Sequence, residues 1–174
     1  RGFWHSNRGA TSVEFAFVFL PLIWMFGAII ETGLFLTAQY ELQSATLAAS
    51  RQIRTGTLPA STTSDGLKQI ICAPIVMIRN CAGSISIDLS SVTAASGGTF
   101  GTLSSAMRNP NAVGPSTRGG TYSDVFSRGG PNDPGALIAT YDWEFVVPWI
   151  GSVFSNLPSN RSARRLNGVA VFKN

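Results

Sequence analysis

The sequence predicts an α+β fold: a long N-terminal transmembrane helix that extends into a stem, packed with a short second helix and a small antiparallel sheet. Three observations lead there. Phe15–Leu36 is an apolar run of about 22 residues broken by one charge, Glu31, and as a helix it would rise about 33 Å, enough to cross a bilayer core. Beyond Leu36 helical spacing continues to Arg54. After Leu58 the pattern changes to short alternating runs separated by Gly, Ser, Asn and Pro, the mark of strands and turns.

The apolar run reads as an anchor. FAFVFLPLI and WMFGAII are apolar on every face, unlike a helix of a soluble core. No small-residue cleavage site of the Ala-x-Ala type follows it, as a secretory signal would require. Arg1 and Arg8 precede it, and the next basic residue is Arg51, so the positive-inside rule leaves the N-terminus cytoplasmic and the bulk of the chain outside. Pro21 lies inside the span, where it removes a helix hydrogen bond and can kink the helix. Glu14 stands at the start of the hydrocarbon region. One reading puts it at the headgroup level near the positive end of the helix, with no further role. The other makes it functional, since an unpaired carboxylate in a membrane is costly.

Leu36, Tyr40, Leu47 and Ile53 recur at roughly helical spacing through the stem, and Gly56 followed by Pro59 supplies a stop. From Ser12 to Arg54 one continuous helix would be about 64 Å long, and its outer half needs an apolar partner. Ser64-Asp65 is a candidate cap for a second helix carrying Leu67, Ile70, Ile71, Ile75 and Ile78, broken or kinked at Pro74. Cys72 and Cys81 are the two cysteines. In an oxidising compartment they can close a short loop that pins the helix end to the next strand; the other reading is two buried thiols. Ser84–Ser90 alternates as a half-buried strand.

Residues 91–133 are rich in Gly, Ser, Thr, Asn and Pro, with few apolar anchors (Phe100, Leu103, Met107, Tyr122, Val125, Phe126), and read as a surface loop. Ala136–Val147 is the longest strand candidate. It places Leu137, Ala139, Tyr141, Trp143, Phe145 and Val147 on one face and Asp142, Glu144 and Val146 on a solvent face, and Pro148 ends it. The apolar stretch after it, with Trp149, Ile150, Val153 and Phe154, either faces a partner or the membrane or tucks under the sheet. The final run from Leu166 to Phe172 is a last strand. Three strands after a helix suggest a sheet packed on the outer half of the long helix.

The bulk numbers narrow the function. The 174 residues carry a net charge of +4 but only 13% charged side chains, spread thinly. Without basic-aromatic interleaving, nucleic acid is not an expected partner. The glycines of the loop lack the Gly-Lys-Ser/Thr ending of a P-loop. No metal or cofactor site is expected: the single histidine, His5, lies across the anchor from both cysteines. Asp142 and Glu144 share a strand face and could act as acid and base, but alternating charges on a strand usually mark its wet side. The chain is not expected to be an enzyme.

The N-terminal motifs add a resemblance. RGATSVEF has the layout of a class III prepilin processing site: Gly9, four residues, then Glu14 and Phe15. With the Leu20-Pro21 pair, the Gly27…Glu31-x-Gly33 cluster and the Ala38…Leu42…Ala45…Ala49-x-Arg51 helix, the first third of the chain resembles the TadE-like pseudopilins of tight-adherence (Tad, Flp-type) pili. The resemblance implies that a prepilin peptidase of the inner membrane cuts after Gly9. Residues 1–9 would be a cytoplasmic leader, residues 10–36 the transmembrane helix, 37–56 its periplasmic extension, and 57–174 the exported, pilin-like domain. Ala10 would become the new N-terminus. Its amine could pair with Glu14 of the same chain, four residues on, or of a neighbour, setting axial register. Glu31 is the second acid of the family pattern.

The leading expectation is therefore a minor pilin or pseudopilin of a Tad-type type IV pilus that serves adhesion. It would be anchored by a single pass in a bacterial inner membrane and able to enter an extracellular filament. Its expected partners are the membrane, the peptidase, other pilin subunits and the assembly platform. The alternative is a single-pass anchored periplasmic domain that binds a partner without polymerising.

Overall fold

The computed structural model describes residues 10–59, 61–91, 124–126, 128–130, 133–157 and 162–173. Helix α1 (Ala10–Arg54) runs through anchor and stem as one 45-residue helix. It is followed by α2 (Ser64–Cys72), a single turn α3 (Cys81–Ser84), strands β1 (Ser86–Ser91), β2 (Val125–Phe126) and β3 (Pro134–Glu144), helix α4 (Pro148–Phe154) and strand β4 (Ala163–Lys173). The fold is α+β, as expected. Gly9 and most of the 91–133 loop, with Phe100, Leu103, Met107 and Tyr122, lie outside the described residues.

The helix ends where the sequence indicates. Gly56 takes a positive φ of 67°, a conformation open to glycine at little cost, and its N–H donates to the carbonyl of Ile53. The stripe that α1 buries differs from expectation. Phe35, Ala38, Leu42, Ala45, Ala49 and Ile53 face the core at spacings of three or four, while Leu36, Tyr40 and Leu47 are exposed. The alanines win because the sheet lies close to the helix at this level, where larger side chains would hold it away.

Three strands, β1, β3 and β4, form an antiparallel sheet, and the two-residue β2 adds to β1 in parallel, giving the order β2-β1-β3-β4. Ile87 and Leu89 of β1 sit beside Ala139 and Leu137 of β3, which sit beside Gly168 and Ala170 of β4. Leu137, Ala139, Ile87, Leu89, Leu166 and Phe172 join the helix stripe in one core, closed at the far end by Leu67 and Ile71 of α2.

Strand β4 lies along α1. Gly168 is the point of closest approach: a Cβ there would stand 2.8 Å from the carbonyl oxygen of Leu42 and would overlap the Thr46 hydroxyl. On either side, helix side chains grip the strand's free edge. The Gln43 amide donates to the Val169 carbonyl and accepts from the Val169 N–H, both at 3.0 Å, and Gln39 donates to the Asn167 carbonyl at 3.0 Å. These side chains satisfy backbone groups for which an edge strand has no ladder partner.

Several local expectations are corrected. Thr63, not the Ser64-Asp65 pair, caps α2, its hydroxyl accepting from the Gly66 N–H. Ile75 and Ile78 are buried but lie past the end of α2, as Pro74 dictates. The middle of β3 is buried on both faces, including Ala136 and Ile138. Asp142 is not on a freely solvated face: its carboxylate receives Nε at 2.8 Å and Nη2 at 3.2 Å from Arg165, itself buried. The bidentate geometry accounts for tolerating that cation in the sheet. Cys72 and Cys81 form a disulfide, joining the end of α2 to α3 just before β1.

Gly168→Ala is expected to destabilise the fold by about 1–3 kcal/mol, the range for forced overpacking, because one of the two atoms in the way is backbone. Chemical denaturation of the detergent-solubilised chain measures it; an unchanged midpoint would show that β4 does not rest on α1 at this point.

Candidate functional site

The functional candidate is α1 itself, in two parts. The N-terminal part is uncovered. Val13, Phe15, Phe17, Val18, Phe19, Leu20, Ile23, Met25 and Phe26 are all more than half or nearly half exposed, and none of the most apolar window of the helix is buried within the protein. In water such a surface would not persist, and its length and composition suit a bilayer crossing. Glu14 is exposed at the start of this surface and makes no hydrogen bond or ion pair among the described residues. Ala10 is the first helical residue described, so Ala10 and Glu14 sit one turn apart, on one face. The helix continues through Pro21, whose missing N–H leaves the Phe17 carbonyl without its usual intrahelical donor.

The second part begins at Gly27 and Ala28, where one side of the helix first becomes covered. Glu31 is the first fully buried residue, 6% exposed. Its two carboxylate oxygens accept from consecutive backbone N–H groups, those of Val146 and of Val147 (3.0 Å for Val147), at the turn between β3 and α4. Since Pro148 has no N–H, this one side chain handles most of the donors left at the start of α4. Ten residues on, Glu41 repeats the device: one carboxylate oxygen accepts from the N–H groups of Val76 and Met77, at 3.1 and 3.0 Å. Glu31 and Glu41 thus fasten the helix to two separate loops of the domain.

Sequence reasoning placed Glu31 through its family pattern but gave it no partner, because the N–H groups it holds are more than a hundred residues away in the chain. Glu41, Gln39 and Gln43 were not singled out. On an exposed helix they would be ordinary polar residues; strand β4, for Gln39 and Gln43, and the loop after α2, for Glu41, turn them into clamps.

Burial pushes the Asp88 carboxyl on β1 upward, partly offset by a hydrogen bond to Ser90. Burial, and then the charge of Asp142, raise the Tyr141 phenol. Lys68 and Asp124 form an ion pair at 2.7 Å, and the Asp124 carboxylate also accepts from the Ile87 N–H.

Compared with known families, residues 9–51 match the model of the TadE-like proteins. Over this stretch the chain is TadE-like. The matched segment contains Glu14, Pro21, Glu31, Gln39, Glu41 and Gln43, so it covers both the uncovered surface and the clamps. The family ties the chain to the Tad pilus system, and the apolar helix is compatible with a single-pass anchor. Neither the curated proteins nor the solved structures contain a match.

Glu31→Ala would strand two N–H groups and is expected to lower stability by about 2–4 kcal/mol, whereas Glu31→Gln, which keeps an acceptor, should lose less. Hydrogen exchange at Val146 and Val147 reads the same change locally, and unchanged protection in the alanine variant would rule out the clamp. A second expectation concerns pH. Because the folded-state pKa of Asp88 lies above its unfolded value, its contribution is most favourable below about pH 3.8 and is lost as pH rises through the raised folded value. Asp88→Asn should therefore raise stability at neutral pH and flatten this part of the pH profile.

Proposed function

We propose that the chain is a structural minor pilin or pseudopilin that takes part in assembling a Tad-type type IV pilus. The observation that carries this reading is Glu14: an exposed carboxylate, without a partner among the described residues, at the head of an uncovered apolar helix inside the TadE-like segment. The function lies in assembly and not in catalysis.

In this reading the N-terminus is cytoplasmic and the sheet domain periplasmic, in keeping with Arg1 and Arg8 before the span. A prepilin peptidase cuts between Gly9 and Ala10. The freed Ala10 amine carries a positive charge, and Glu14 of a neighbouring subunit neutralises it in a low-dielectric bundle, where the pairing distance fixes axial register. The exposed α1 residues Leu22, Ile29 and Leu36 of the span and Tyr40 and Leu47 of the stem, spaced by seven, seven, four and seven, form a second stripe suited to helix–helix packing between subunits. The stripe used within the chain, from Phe35 to Ile53, is distinct from it.

The test is the intact mass of the chain recovered from membranes of cells that express a prepilin peptidase. A mature form starting at Ala10 is expected for the wild type and its loss for Gly9→Ala; a wild-type chain that keeps residues 1–9 would overturn processing and favour an anchored, non-polymerising domain. Glu14→Gln should leave membrane insertion and cleavage in place while cutting incorporation into filaments at least tenfold by immunoblot of sheared pili. Equal incorporation would remove the register role.

A further inference from the structure

The short helix α4 is an unusual thing to find on a domain surface. Four of the side chains at or beside it are large, apolar and exposed: Val146 (87%), Trp149 (48%), Val153 (71%) and Phe154 (42%). Ile150 is buried on its other side. What gives this patch meaning is its height along α1.

The height is fixed by several contacts. A Cβ at Gly27 would lie 3.9 Å from Val147, and Glu31 holds the N–H groups of Val146 and Val147. At the other end of α4, the Phe154 ring meets Phe145 at a tilt and Phe145 meets Phe35 likewise, and Arg164 donates to the Phe154 carbonyl while lying 5.4 Å over the Phe35 ring. The turn that begins α4 therefore lies against residues 27–31 of α1, and Phe145, which Phe154 touches, lies against Phe35. On the uncovered side of α1 at the same height stand Ile29, Ile30, Leu34 and Leu36, all exposed and apolar. A bilayer core about 30 Å thick takes up about 20 helical residues, so a span beginning at Phe15 ends near Leu34. If α1 crosses the membrane, α4 cannot stand clear of it.

We propose that α4 is an interfacial helix, its exposed apolar face seated in the lipid where α1 leaves the bilayer. The proposal rests on α1 being the membrane span. The patch is continuous in height with the lipid-facing surface of α1, and its chemistry fits the zone: Trp149 has the amphipathic ring favoured at the headgroup level, and Arg164 supplies a cation there. The backbone is prepared for a medium poor in water. Glu31 satisfies Val146 and Val147, Pro148 brings no donor, the Phe154 carbonyl receives Arg164, and the Ser152 hydroxyl bonds to the Trp149 carbonyl at 2.7 Å. Held by Glu31 on one side and lipid on the other, the domain sits flush on the membrane in one fixed orientation.

The experiment uses the full chain in phosphatidylcholine–phosphatidylglycerol vesicles, with one added cysteine carrying an NBD fluorophore; Cys72 and Cys81 are unreactive as a disulfide. Three sites are compared: Ile23→Cys in the span, Val153→Cys on α4, and Gln52→Cys near the far end of α1. Lipids with a shallow or a deep nitroxide serve as quenchers. The expected result is quenching at V153C at least threefold stronger than at Q52C and stronger from the shallow nitroxide, with I23C answering mainly to the deep one. Quenching at I23C with none at V153C overturns the proposal but leaves the span intact; a blue-shifted V153C signal in that case would assign the patch to a protein partner. Absence of quenching at both sites overturns the span and this proposal with it.

Discussion

Everything in the sheet domain depends on how closely one strand can approach one helix. At Gly168 the backbone of β4 lies against the Leu42 carbonyl and the Thr46 hydroxyl, with no side chain between. That approach explains why the inward stripe of α1 is rich in alanine: Ala38, Ala45 and Ala49 alternate with Phe35, Leu42 and Ile53. It also brings the strand edge within reach of Gln39 and Gln43. A larger residue at 168 would lift the strand, and the amides would lose the groups they hold.

The same helix serves two solvents. Toward its N-terminus it presents apolar side chains on all sides; from Gly27 onward one side belongs to the domain. The transition is made by a charged residue, Glu31, whose carboxylate is saturated by backbone donors and so need not face lipid. The acid that looks like a defect in the apolar run is the point at which the domain is fastened to its anchor.

Much of this was legible in the sequence. The uniform apolarity of Phe15–Leu36 and the turn signals at Gly56 and Pro74 gave the helix and its limits, and period-two alternation gave the strands around Leu89 and Leu137. The motif from Gly9 through Arg51 pointed to the TadE-like family. What was not legible depends on partners distant in the chain. Leu36, Tyr40 and Leu47 looked like the buried stripe because they are large apolar residues, but the stripe that meets the sheet is Phe35, Ala38, Leu42, Ala45, Ala49 and Ile53, half of it alanine. Asp142 looked solvated because its neighbours alternate, but Arg165, brought alongside by strand register, pairs with it. Helix α4 was hidden because a seven-residue helix has too few turns to show a period.

The bracketing amides also decide how this chain can meet others. Asn156 accepts from the Arg165 N–H at 2.8 Å and donates to its carbonyl, so with Gln39 and Gln43 the outer edge of β4 is occupied from Arg165 through Val169. From Arg165 through Val169 a foreign strand would have to displace these three side chains to form ladder bonds, and beyond them the strand ends in an exposed lysine, Lys173. Along this part of the edge, strand addition, the route to amyloid-like stacking, is therefore opposed, and another molecule meets β4 here through side chains and not through its backbone.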